Sequence, residues 1–146
     1  MSSSNIDVAP TLRIILEVKN VVSVNDAYVP SSMMKGGKRH HFLRLSDAAK
    51  KFKNKVTKQL KNLDKKKYPW FNSKNLYTFT VLVYFNKSPL NRDLDNICKL
   101  LQDAVFSFFK VDDARVIDLH LRKNYKNAPK EYIIAEIAPS DRDIFK

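Results

Sequence analysis

The chain predicts an α+β domain: a small mixed or antiparallel sheet packed by two main helices. Three observations carry this expectation. Segments that alternate apolar and polar residues are interleaved with segments whose apolar residues recur every three or four positions. The expected order of strand, basic helix, strand, acidic turn, apolar helix, strand and strand ends in two strands with no helix between them, which suits a mixed or antiparallel sheet. The length of 146 residues suits one hydrophobic core and is too short for two independent ones. Residues 1–11 are expected to form a flexible lead-in and residues 12–146 a single domain.

Leu12 to Lys19 places Leu12, Ile14, Leu16 and Val18 on one face, the period of a half-buried strand. Asn20 to His41 reads as a long loop closed by Lys35-Gly36-Gly37-Lys38. Ser46 is suited to cap a helix in which Ala49, Phe52, Val56, Leu60 and Leu63 form an apolar stripe and lysines fill the remaining face. Pro69 ends this element by disfavouring helical backbone at Tyr68. Leu76 to Asn86, rich in Thr, Val, Tyr and Phe, reads as a central strand. Asn96 to Phe109 carries Ile97, Leu100, Leu101, Ala104, Val105 and Phe108 at helical spacing. Ala114 to Lys123 and Tyr132 to Ile137 are further strands, with Asn124 to Lys130 as a hairpin connection.

Composition removes several function classes. The one cysteine, Cys98, rules out an internal disulfide and a cysteine-cluster zinc site, and its place beside Ile97 makes it packing material. Gly36 and Gly37 are the only glycines, so the glycine-rich phosphate loops of nucleotide-binding sites are absent and no nucleotide cofactor is expected. No apolar run has the length of a membrane span, so no membrane partner is expected and the setting is taken as intracellular, cytoplasmic or nucleoid-associated. The lysine and asparagine bias is compatible with a viral or prophage source.

The formal net charge is +12, and 13 basic residues against 2 acidic ones fall between Met34 and Lys67. Such concentration is the footprint of a phosphate-backbone binder, for which Arg39, Arg44, Lys50, Lys51, Lys55 and Lys58 are the candidates, joined by Arg92 and Lys99. The alternative is a solvated face with value only for solubility.

Against this background Asn91-Arg92-Asp93-Leu94-Asp95-Asn96 stands out, with Lys99 four residues on and Asp112-Asp113 beyond the apolar helix. Asp93 and Asp95 face the same way if the segment is extended, whereas a helix would splay them by about 200°. Paired carboxylates repel, and a divalent cation relieves that repulsion while supplying charge for phosphoryl chemistry. Oxygen ligands suit Mg2+, with Mn2+ as a substitute. The structural reading of these residues carries equal weight: Asp95 as a helix cap, Lys99 paired with Asp95 or Asp103, and Asp112-Asp113 as an ordinary turn.

Arg92-Asp93-Leu94-Asp95-Asn96, Lys99 and Phe109-Lys110-Val111-Asp112-Asp113-Ala114-Arg115-Val116 together resemble the RusA family of Holliday junction resolvases, small homodimeric endonucleases that cut four-way DNA junctions with a divalent metal. The similarity runs from about Asn86 to Lys123; Asn25 and Tyr28 look like the family's early Asn-x-x-Tyr segment. The resemblance implies that Asp93, Asp95 and Asp113 are catalytic and hold the metal, that Lys99 is also required, and that Asp112 lies at the site's margin. It also implies a homodimer, which suits paired cuts on a branched substrate. The chain departs from the family at Val21-Val22-Ser23-Val24, where prolines are common, and at Phe108-Phe109, where a glycine is common. Two other readings stand beside junction resolution: a less selective branched-DNA nuclease, and a non-catalytic nucleic-acid-binding protein. A helix from Asn96 to Phe109 rises roughly 21 Å, so Asp113 either returns along the chain or acts across a dimer.

Overall fold

In the computed structural model, residues 7–18, 28–45, 47–87, 89 and 94–145 are described. Among these residues, six strands and two α-helices follow in the order β1 (Leu12–Val18), β2 (Tyr28–Lys35), β3 (Lys38–Leu45), α1 (Asp47–Lys61), β4 (Tyr77–Phe85), α2 (Asp95–Phe109), β5 (Val116–Tyr125) and β6 (Glu131–Pro139). The α+β expectation holds: a four-stranded mixed sheet ordered β1-β6-β4-β5 lies beside a separate two-stranded ribbon, β2-β3.

One face of the large sheet forms the core. Leu12, Ile14 and Leu16 of β1, alternate residues of β4 from Tyr77 to Phe85, and Ile133, Ala135 and Ile137 of β6 are buried there. Both helices cover that face, α1 through Ala49, Phe52, Val56 and Leu60, and α2 through residues including Ile97, Leu101 and Val105. The stripes are those that the helical spacing predicts.

Two expectations are corrected. Residues 28–41, read as loop, belong mostly to the β2-β3 hairpin, whose strands pair from Tyr28 with Leu45 to Lys35 with Lys38. Gly36 and Gly37 both have positive φ, 59° and 76°, as a two-residue type I′ turn requires. The segment after β5 is not a hairpin connection either. β5 pairs in parallel with β4, and β6 is inserted antiparallel between β4 and β1, so the chain crosses β4 before it returns. Part of the lead-in is also docked: the Ala9 amide donates to the Lys67 carbonyl, and the Trp70 indole donates to the Ala9 carbonyl.

The two sheet edges differ. Gln59 of α1 bonds both backbone groups of Ile15, accepting at 3.0 Å and donating at 2.8 Å, and the Lys55 ammonium bonds the Glu17 carbonyl. These bonds occupy the outer edge of β1, the usual protection against edge-to-edge pairing. At the opposite edge, Leu119 of β5 is 48% exposed.

Candidate active site and nucleic-acid interface

Helix α2 decides where the acids stand. Its Phe106 ring lies 5.9 Å from Tyr77 and 6.3 Å from Phe79, so its C-terminal end covers the start of β4. The following 3-10 turn, Asp113–Arg115, sits at the same end: Val116 pairs with Tyr77 and the Arg115 guanidinium donates to the Asn75 carbonyl. Asp95 is the first residue of α2 and therefore lies at the other end, beyond Phe85. Fourteen helical steps between Asp95 and Phe109 separate the two ends by about 21 Å. Within the chain Asp95 and Asp113 stand apart.

Asp95 is exposed in the first turn, where a carboxylate complements the helix dipole. It does not cap the helix; Leu94 holds the cap position without a side-chain bond. Lys99, exposed one turn further on, shares the Asp95 face of α2. At the far end Asp112 and Asp113 are exposed. The Asp112 carboxylate accepts from the Ala114 amide, a turn-forming bond. Asn25, Arg92 and Asp93 lie outside the described residues, and Tyr28 and Arg44 are placed only as the first residue of β2 and the penultimate residue of β3. Among the described residues, no three His, Cys, Asp or Glu side chains gather closely enough to hold a metal.

Cys98, one turn into α2, is 4% exposed. Burial, followed by the negative charge of Asp95, pushes its thiol up to about 11. It is core material, as expected.

The basic face runs along α1, and its first turn lies at the Asp95 end. Lys65 just beyond α1 lies over the Phe108 ring near the end of α2, 4.3 Å from its centroid, while Gln59 and Lys55 descend along β1 from Ile15 to Glu17. The helices are therefore parallel, and Lys50 and Lys51, both exposed, lie toward Asp95. Lys58 is exposed as well. Lys55 spends its ammonium on the β1 backbone, which makes it a poorer phosphate contact than its spacing implied. Arg39 is exposed on the ribbon and bonds the Ser32 hydroxyl at 2.9 Å.

One residue escaped the sequence reading. Glu131 at the start of β6 is fully buried, and its carboxylate accepts from the Asn86 amide at 3.1 Å. Asn86 also donates to the Pro129 carbonyl. Glu131 thus anchors the exit of β4, from which the chain leads to Asp95. Its only signal in the sequence is an acid opening an otherwise apolar strand.

The donor chemistry fits a hard divalent ion, since Asp95 and Asp113 offer exposed carboxylate oxygens and the Cys98 thiol near Asp95 is buried. The protein-family model described as endodeoxyribonuclease RusA matches residues 22–136. No curated protein matches the chain.

Proposed function

The chain belongs to the RusA endodeoxyribonuclease family, and from that premise we propose that it is a homodimeric, Mg2+-dependent nuclease that resolves four-way DNA junctions. The observation that carries this reading is the placement of Asp95, Lys99 and the first lysines of α1, Lys50 and Lys51, at one end of the helical layer. An acid there meets the phosphate that the cations attract.

The separation of Asp95 from Asp113 gives the dimer a chemical purpose. The outer edge of β1 is occupied, whereas β5 ends the sheet on the other side with Leu119 exposed. Two β5 strands pairing antiparallel about a twofold axis bring Asp113 of a second copy toward the end where Asp95 stands. Asp93, Asp95 and that Asp113 would hold the metal. When bound, the ion activates water for attack on phosphorus and offsets charge on the leaving oxygen. Lys99 binds the phosphate electrostatically through its ammonium group. Glu131 holds the end of β4 through the Asn86 amide. Two such sites about one axis cut two strands of like polarity.

Cleavage of a four-way junction, a flap and a linear duplex at equal salt tests the reading, with Mg2+ present or chelated and with dimer mass measured in parallel. Selective, metal-dependent cutting of the junction is expected from wild type, and binding without cutting from Asp95→Asn. Equal cutting by both proteins rejects the assigned chemistry.

A further inference from the structure

Between Ser32 and His41 the β2-β3 ribbon lies outside the core. All ten residues from Ser32 to His41 are exposed, and an isolated two-stranded ribbon is at best marginally stable in water. Residues 28–45 include Lys35, Lys38, Arg39 and Arg44, two histidines and no acid. Near its tip stand two adjacent methionines, Met33 at 54% and Met34 at 60% exposure. Register places Met33 opposite His40 and Met34 opposite Arg39. Each face of the ribbon therefore carries one apolar side chain beside a basic or imidazole partner. The ribbon is rooted at the Asp95 end, because Leu45 is followed after one residue by α1, whose start lies there.

We propose that this ribbon is a DNA arm: it enters a groove of the duplex beside the branch point, with Lys35, Lys38 and Arg39 on backbone phosphates and Met33 or Met34 set against a base step. The inference rests on the nucleic-acid reading above and names the element that recognises the branch. A two-stranded ribbon has the width that the major groove of B-DNA admits. Methionine is among the apolar side chains that wedge between base steps, at an unstacking cost that is least where stacking is already broken. A second copy of this chain is the poorer occupant, because the ribbon offers no acid and the chain is strongly positive.

The test uses the full chain, a four-way junction carrying 2-aminopurine at the branch, and a linear duplex, with binding followed across a salt series. Replacing Lys35, Lys38 and Arg39 together by Gln is expected to flatten the dependence of log K on log salt by about 2.7. Met33→Ser combined with Met34→Ser is expected to leave duplex binding within about twofold and to remove more than half of the 2-aminopurine emission rise, as loss of an unstacking wedge requires. An unchanged slope or an unchanged emission rise overturns the arm. Conversion of dimer to monomer by the methionine substitutions, with emission unchanged, makes the ribbon a contact between copies and also overturns it. If the arm variants match wild type in binding and cutting, only the arm fails; if wild type binds no DNA, the nuclease reading fails with it.

Discussion

The two sheets of this chain are held by opposite means. In β4 every second side chain from Tyr77 to Phe85 is fully buried, whereas the ribbon exposes both faces between Ser32 and His41. Both are complete antiparallel or mixed ladders, yet backbone bonds exchanged with water contribute little net stability. Burial stabilises the first sheet. Between Ser32 and His41 the second is exposed, and that leaves Lys35, Lys38, Arg39, Met33 and Met34 available for contact.

The sharpest break between scaffold and function is expected at Asp95. Asp95→Asn should reduce junction cutting by more than the roughly 100-fold that loss of an outer-shell partner costs a metal site, with the urea midpoint moved little. Mixing decides how the acids combine. A dimer with Asp95→Asn in one subunit and Asp113→Asn in the other retains one intact site if the acids meet across the interface, and none if they meet within a subunit. Recovered single-strand nicking in the mixture, absent from either parent, is the expected result.

Thiol labelling contrasts core and ribbon at the level of single groups. With its thiol raised from 9.0 to about 11, Cys98 forms about a hundredfold fewer thiolates at pH 8 than an unshifted cysteine. Native protein should resist a maleimide, while a Ser32→Cys thiol on the ribbon reacts at once; rapid labelling of native Cys98 contradicts its burial. The sign of the linkage follows. The unfolded chain loses the thiol proton first, so this group lowers stability as pH rises above 9.

Core and ribbon should also part in equilibrium unfolding. Phe79→Ala is expected to cost about 3–5 kcal/mol, and Met34→Ala less than about 0.5 kcal/mol. A large cost at Met34 would mean that the ribbon is packed after all. An effect of opposite sign concerns Lys110, which ends α2 in the left-handed region at φ 58°, with the Val111 amide bonded to the Phe106 carbonyl. Lys110→Gly is expected to stabilise the fold by about 1 kcal/mol, read from the same unfolding midpoint.

Periodicity made much of this legible. The alternation at Leu12, Ile14 and Leu16, the stripe from Ala49 to Leu60 and the apolar side of α2 are local patterns, and each became the expected element within a few residues. The ribbon was hidden because its exposed faces give Met33, Met34, Arg39 and His40 no alternation of hydrophobicity to read. Glu131 was missed because the partner of its carboxylate, the Asn86 amide, lies 45 residues away.

By itself the sequence determined the fold class, the concentration of positive charge, the acidic motif and the impossibility of a disulfide or cysteine-cluster metal site, because these depend on residue type and local spacing. Only tertiary structure decided that β6 lies between β1 and β4, that α1 and α2 run parallel, and that Asp95 and Asp113 stand at opposite ends of one helix. Strand order and helix direction are settled by which apolar faces bury one another across long sequence separations, and spacing along the chain does not encode that choice.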